Sequence, residues 1–254
     1  MFVDTHAHLQ WSSFDKDREK VLSRAREAQV DYIVNIGFDV DGSVEGVKLA
    51  EQHETLYATV GIHPHNASQL DEKALDRLKQ ISENPKVVAI GETGLDYYRN
   101  LSPKETQKRA LEAQLLLAEE LELPVVIHDR EAHTDILDMV SRFKGKTRGI
   151  MHCFSGSREM AEQCIRLGFL ILLAGNVTYL NAQRLHEIAK SIDLQKILLE
   201  TDSPWLAPQE MRGKRNEPSF LPFTATKIAS LRGISLNDLA VATTKNAKET
   251  FKLK

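Results

Sequence analysis

Short runs of consecutive apolar residues recur along the chain, and each is followed by a loop and a charged segment. Consecutive rather than alternating apolar positions are typical of strands that are covered on both faces. Each run therefore predicts one buried strand. The eight runs are residues 2–3, 32–36, 56–62, 87–90, 125–127, 149–151, 169–173 and 197–199.

The segments between the runs carry apolar residues at three- and four-residue intervals, which predicts amphipathic helices. The clearest are residues 16–29, 71–83, 103–121 and 158–167, and two more, 221–231 and 235–251, follow the last run. Ser43 and Ser102 stand where N-caps are expected, and Pro103 suits the first helical position.

Alternating strands and helices indicate the α/β class with a parallel sheet. Eight such units favour a closed (β/α)₈ TIM barrel, although an open doubly wound sheet is compatible with the same strand count. No Pro-, Gly- or Ser-rich linker interrupts the 254 residues, so we expect a single domain over residues 1–254.

Composition indicates the class of protein and its cellular compartment, but it says little about the reaction. The apolar share of 42%, the charged share of 27% and the net charge of −3 are ordinary for a globular protein and give no general attraction to polyanions. Two cysteines, Cys153 and Cys164, allow at most one disulfide. With no signal peptide or membrane span visible, we expect a cytoplasmic protein with no membrane or obligate protein partner.

Polar residues with ligand chemistry stand at the carboxyl ends of the predicted strands. In a barrel these ends meet on one face, which is where barrel active sites lie. The residues concerned are His6, His8, His63, His65, Glu92, Asp96, His128, Arg130, His152 and Asp202. We therefore expect a metal site on the carboxyl-terminal rim.

The first half of that site combines His6, His8 and Glu92. His6 and His8 are two residues apart, so on a strand their rings project from the same side and can bind one cation. Glu92 has two oxygens and can bridge two cations. A lone His-x-His pair is weak evidence, and Glu92 alone could be a helix-capping acid.

The remaining candidate ligands are His128, His152 and Asp202. The two histidines would hold a second metal, and Asp202 can ligate the first and accept a proton from the attacking water. Either histidine alone is more simply a core residue, and Asp202 alone could be an N-cap before Pro204. Six ligand-type residues on five strand ends favour a shared site, because burying them unpaired is costly. Imidazole and carboxylate together suit Zn, Mn, Fe or Co, and Mg less well.

Six segments of the chain together resemble the TatD family of metal-dependent deoxyribonucleases, within the amidohydrolase-like barrels. They are residues 2–9 (FVDTHAHL), 61–65 (GIHPH), 89–97 (AIGETGLDY), 152–156 (HCFSG), 200–206 (ETDSPWL) and 212–218 (RGKRNEP). The resemblance implies one metal on His6, His8, Glu92 and Asp202 and another on Glu92, His128 and His152. The fifth-strand motif has Asp129 where Ser is common, and we expect little consequence because Asp129 should point away from the pocket.

The resemblance also implies a phosphodiester substrate in DNA. We expect an exodeoxyribonuclease with two divalent ions (Zn, Mn, Mg or similar), with Asp202 and Glu92 as catalytic residues. Its partner would be DNA, single-stranded or with an exposed end. The residues expected to contact phosphate are His63, Arg130, Arg212, Lys214 and Arg215, although an Arg/Lys loop is commonly just solvated.

Two other hypotheses stay open at the level of sequence. The same metal site could hydrolyse an amide or ester, including the aminoacyl ester of a charged tRNA, because a barrel does not fix its chemistry. The protein could also bind nucleic acid without catalysing a reaction. The intact ligand set argues against that third possibility.

Overall fold

The computed structural model describes all 254 residues and contains one eight-stranded parallel sheet in sequential order. Its strands are β1 (Phe2–Ala7), β2 (Val30–Asn35), β3 (Leu56–Val60), β4 (Val87–Asp96), β5 (Val125–Arg130), β6 (Gly149–Met151), β7 (Phe169–Leu173) and β8 (Ile197–Leu199). A parallel bridge between Ala7 and Ser203 brings the first strand beside the end of the last. The (β/α)₈ barrel is confirmed, and the open doubly wound sheet, whose strand order reverses at a switch point, is excluded.

Helices follow the strands and cover the barrel. They are α1 (Arg18–Glu27), α2 (Val40–Glu51), α3 (Glu72–Ser82), α4 (Lys104–Glu120), α5 (His133–Ser141), α6 (Arg158–Arg166), α7 (Gln183–Ser191), α8 (Leu221–Arg232) and α9 (Leu236–Phe251). None of these helices has both the length and the apolar content that crossing a membrane requires.

Two of the predicted caps were wrong. The carboxylate of Asp39 caps α2 by accepting the N–H of Gly42, and Ser43 lies one turn inside that helix, where its hydroxyl donates to the Asp39 carbonyl. Ser102 makes no capping bond to α4, because its hydroxyl donates to the carbonyl of His65, 2.9 Å away. Pro103 directly precedes α4, one residue from its expected place.

Alternating side chains on the strands face two separate apolar clusters. Val126, Ile150 and Leu198 belong to a 13-residue cluster inside the barrel, whereas their neighbours belong to a 52-residue cluster between strands and helices. Because the side-chain period of a strand is two, the polar residue two places beyond each interior residue also points inward. This alternation directs His128 and His152 into the barrel mouth above the apolar interior.

Candidate metal centre

Glu92 lies at the middle of the predicted ligands and divides its two oxygens between them. Its Oε2 is 3.5 Å from Nε2 of His6 and 3.7 Å from Nε2 of His8. Its Oε1 is 2.9 Å from Nδ1 of His128 and 3.4 Å from Nε2 of His152. One carboxylate therefore faces two pairs of imidazoles, one pair on each oxygen.

Asp202 completes the half of the site around His6 and His8. It follows β8, and its Oδ1 lies 3.6 Å from the Nε2 atoms of both His6 and His8. All six predicted metal ligands thus meet in one cluster. Ligand atoms of His6, His8 and Glu92, and likewise those of His6, His152 and Asp202, lie within 4.8 Å of one another.

Three of the four rings are held by a hydrogen bond from the nitrogen that faces away from Glu92. We assign a donated proton to Nδ1 of His8, which is 3.1 Å from the Ile36 carbonyl, and to Nε2 of His128, which is 3.3 Å from Asp96. The same assignment holds for Nδ1 of His152, which is 2.9 Å from Glu200. Metal-ligating histidines are oriented in this way, because the outer bond leaves the inner nitrogen with a free lone pair.

These residues fit divalent cations. Nε2 of His6 and Nε2 of His8 approach to 3.1 Å, and the bond from His8 to Ile36 leaves the lone pair of His8 pointing at His6. Nδ1 of His6, fully buried and without a hydrogen bond, lies 3.7 Å from Glu200. Converging nitrogen lone pairs with carboxylate oxygens are the donor set that Zn, Mn, Fe and Co prefer.

The electrostatics of the pocket also favour positive charge. Burial raises the pKa of Glu92, but the positive charge of His152 and the contacts from His128 and His6 more than offset this and hold the pKa well below its usual range, so Glu92 is ionised. Asp202 is likewise ionised, because His8 and its neighbours lower its pKa against the effect of burial. Burial alone would lower the pKa of His152, but Glu200 and Glu92 raise it to about 10, so a cation bound at Nε2 would have to displace a proton from that nitrogen. The carboxylates therefore create a buried field that stabilises a cation.

Glu200 is a buried carboxylate beside the predicted ligands that the strand-end pattern had not singled out. It is fully buried, and its carboxylate accepts hydrogen bonds from His152 Nδ1 and, at 2.6 Å, from the backbone N–H of Cys153. The signal was available in the sequence, since Glu200 lies two residues after the interior Leu198 and two before Asp202. At that position its carboxylate orients the ring of His152 and the backbone of Cys153.

Asp96 and His65 form a second outer layer behind His128. Asp96 Oδ2 is 2.8 Å from His65 Nε2 and 3.3 Å from His128 Nε2. Burial raises the pKa of Asp96, but the bonds from His128, the Arg99 backbone and His65 give a net lowering, so it is an ionised acceptor. The sequence placed both residues at the rim but gave them no role.

His63 differs from the predicted metal ligands in the direction of its proton. Its Nδ1 accepts the N–H of His65 at 3.1 Å, so in the neutral ring Nε2 carries the hydrogen, and this Nε2 lies 3.5 Å from Glu92. Burial lowers the pKa of His63 well below its usual value, which keeps the ring neutral. His63 is therefore a hydrogen-bond donor at the edge of the site.

The four basic residues expected to contact phosphate have different environments. Arg130 is exposed at the end of β5, with its guanidinium 4.0 Å from the ring centroid of Tyr98, and Arg212 lies 4.8 Å from that of Tyr179. Lys214 is exposed and has no carboxylate partner. Arg215 departs from the expectation, since its guanidinium donates at 2.8 Å to each oxygen of Asp17 and is taken up within the protein.

Sequence comparison relates the whole chain to one family. The family described as TatD related DNase matches residues 3–252. The metal-dependent hydrolase YabD of Bacillus subtilis is 41% identical over 254 residues and covers 100% of both chains. The 3'-5' ssDNA/RNA exonuclease TatD of Erwinia tasmaniensis is 40% identical over 257 residues, covering 98% of this chain and 99% of the relative.

Solved structures agree with the sequence relatives. The TatD homologue YjjV of Escherichia coli K12 superposes with a TM-score of 0.94 at 32% identity and covers 100% of this chain and 98% of its own. A TatD family hydrolase of Entamoeba histolytica gives 0.90 at 25% identity with the same coverage. From its motifs, its barrel and these relatives, the chain belongs to the TatD-related DNase family.

Proposed function

We propose that this protein is a metal-dependent exonuclease that hydrolyses phosphodiester bonds in DNA at a site for two divalent cations. The observation that carries the proposal is the division of Glu92, with one oxygen toward His6 and His8 and the other toward His128 and His152. The family description as a DNase, and relatives named as 3'-5' ssDNA/RNA exonucleases, support the choice of bond.

Two sets of residues would hold the cations. His6, His8, Glu92 and Asp202 would bind one, and Glu92, His128 and His152 the other. Two cations a few ångströms apart stabilise both the attacking and the leaving oxygen of a displacement at phosphorus. The protein contributes the fixed orientation of the rings, through Ile36, Asp96 and Glu200.

Asp202 is the proton acceptor in this proposal. Its carboxylate is ionised at neutral pH, stands beside His6 and His8, and keeps some exposure to solvent, with 13% of its side chain accessible. An acceptor must lie within hydrogen-bond reach of the attacking water, and the partly open edge of the site permits this. Asp202 would then return the proton to the leaving oxygen.

His63 and Arg130 are the proposed phosphate contacts. The neutral ring of His63 turns an N–H toward the site, which suits a phosphate oxygen, and Arg130 supplies a planar pair of donors at the rim. Arg212 and Lys214 would contact phosphates of the nucleic acid that lie farther from the reacting bond. We leave Arg215 out of this set because Asp17 already occupies its donors.

A nuclease assay tests the proposal directly. Oligodeoxynucleotides labelled at the 5' or 3' end, single- or double-stranded, are incubated with the metal-free protein plus Zn²⁺, Mn²⁺, Co²⁺ or Mg²⁺, one metal at a time. We expect stepwise shortening from one end, loss of activity in a Glu92→Gln variant, and full activity in a Glu112→Gln variant, which changes an exposed carboxylate on α4. The rate on an RNA of the same sequence, compared with the rate on the DNA, gives the preference for deoxyribose over ribose.

Two results would contradict the proposal. Hydrolysis of charged tRNA or of an amide, with no cleavage of DNA by any metal, would favour the ester and amide hypothesis. Binding of DNA with no hydrolysis of any ester would favour a binding protein that does not catalyse a reaction.

A further inference from the structure

Three aromatic side chains lie beside the metal centre and are not explained by it. Trp11, Phe38 and Trp205 form what we call the aromatic corner. The ring centroids of Trp11 and Trp205 are 5.3 Å apart with the planes 68° to each other, and Phe38 lies 5.1 Å from Trp11. Trp205 packs edge-on to the ring of His8 at 5.1 Å, so the corner adjoins a proposed metal ligand.

The two tryptophans are open to solvent although they are large and apolar. Trp205 is 42% exposed and Trp11 is 37% exposed. Clustered exposed aromatic surface next to a polar site is typical of a binding surface rather than of a core. The two rings, inclined at 68° to each other, offer a flat molecule a face on one ring and an edge on the other.

The corner is held rigidly to the metal centre through the backbone. The N–H of Trp205 donates to the carbonyl of Asp202 at 2.9 Å, and the N–H of Trp11 donates to the carbonyl of His8 at 3.1 Å. Asn216 adds a hydrogen bond to the Trp205 carbonyl at 2.6 Å. Each tryptophan is therefore fixed relative to one of the proposed ligands of the first metal.

We propose that the aromatic corner is a subsite that stacks a nucleobase next to the scissile phosphate of a single-stranded nucleic acid. This inference rests on the proposed nuclease function. A planar base attached to a phosphate at the metal centre is the chemistry that matches an aromatic surface beside His8. Bases in a duplex are already stacked and paired, so a subsite of this kind favours single strands or frayed ends.

The aromatic corner would accept any of the bases, attached to either ribose or deoxyribose. Stacking uses the π-face that every base has, and contact with that face does not depend on whether the sugar carries a 2'-hydroxyl. Any preference for DNA over RNA would therefore come from elsewhere in the site. The competing explanation is that the tryptophans only cover His8 and shield it from water.

Substrates with and without a base separate the two explanations. Steady-state rates are measured for a single-stranded oligodeoxynucleotide and for the same strand with an abasic nucleotide at the cleaved end. With Trp205→Leu we expect kcat/KM on the base-bearing strand to fall about 5- to 150-fold, the range for one missing stack, and to change little on the abasic strand. Trp205→Phe should recover most of that activity. Tyr32→Leu, in the amino-terminal half of β2 and outside the corner, is the aromatic control.

Intrinsic fluorescence gives a readout that does not depend on hydrolysis. The chain has two tryptophans, and both are in the corner. A phosphorothioate oligothymidylate that resists cleavage should therefore change the emission of the metal-loaded protein, and abasic phosphorothioate should not. If no nucleic acid is cleaved but the emission responds to bases, the nuclease proposal fails, while binding of a base at the aromatic corner stands without a scissile phosphate beside it. Two results would overturn the subsite. One is an equal loss of kcat/KM on the base-bearing and the abasic strand in Trp205→Leu, and the other is tryptophan emission that changes equally with base-bearing and abasic phosphorothioate.

Discussion

Glu200 allows a direct test of how the histidines are oriented for metal. In Glu200→Gln the side-chain carbonyl can still accept the N–H of Cys153, which the carboxylate binds at 2.6 Å. The amide nitrogen then faces Nδ1 of His152 and donates a hydrogen, where the carboxylate accepted one at 2.9 Å. His152 can accept it only when Nδ1 carries no hydrogen, and the ring then keeps its proton on Nε2, the nitrogen that faces Glu92 and would bind the cation.

The expected magnitude follows from that change of tautomer. Removal of a partner that orients a ligand typically weakens metal binding by about 10- to 100-fold, which is about 1.4 to 2.7 kcal/mol. Calorimetric titration of Zn²⁺ and Mn²⁺ into metal-free wild type, Glu200→Gln and the Glu112→Gln control measures it. Nitrogen NMR of the His152 ring identifies the tautomer.

A purely structural role for Glu200 gives a different pattern. The metal-free variant would then have a lower melting temperature, while metal affinity and the His152 tautomer stayed as in wild type. That result would refute the assignment of Glu200 as the residue that orients His152.

Four further predictions concern single properties of the site and its surroundings. Asp202→Asn should retain most of its metal and its melting temperature while kcat falls by about 10²- to 10⁴-fold, the usual contribution of a positioned base, and normal turnover would remove it from the mechanism. Arg130→Ala should lower kcat/KM and leave bound metal unchanged, as measured by metal analysis of the same preparation. Neutralising Arg212 and Lys214 together should flatten the salt dependence of single-strand binding by about 0.7 in log–log slope for each phosphate that the protein no longer neutralises. The hydrogen bond from Arg215 lowers the pKa of Asp17 from 3.8 to about 2. The ionised Asp17 therefore stabilises the folded protein fully above pH 3.8, and this stabilisation is lost as the pH falls toward 2. Urea unfolding of wild type and Asp17→Asn should therefore give a stability difference that shrinks through that window, and a constant difference would contradict it.

The barrel and the clustering of the six candidate ligands could be predicted from the sequence because both depend on local patterns. Apolar runs of the right length fix the strands, and the residue type at each strand end fixes the chemistry. The ends of the strands were less accurate, since β4 continues to Asp96 and β5 to Arg130. His128 and Arg130 pair in register with Gly94 and Asp96, so polar residues that look like loop continue the ladder.

The partners of charged groups could not be read from local patterns. Arg215 looks like a phosphate ligand within its basic loop, but the carboxylate that binds it belongs to Asp17, 198 residues away in sequence. Likewise, the nitrogen that each histidine presents to a metal depends on acceptors from other strands, such as Ile36 and Asp96. Only the closed barrel brings these groups together.

The site also has a consequence for how the barrel closes. Strands β1 and β8 share no regular ladder, and they are joined by the bonds from His8 N–H to Ser203 and from Asp202 N–H to His6, at 2.8 and 2.9 Å. Below them the buried carboxylate of Asp4 accepts both the N–H and the hydroxyl of Thr201. The residues that close the barrel are thus the proposed ligands of the first metal and their immediate neighbours. A cation held by His6, His8 and Asp202 would bind across this junction in the folded state alone, and mass action would then make closure of the barrel and occupancy of the site stabilise each other.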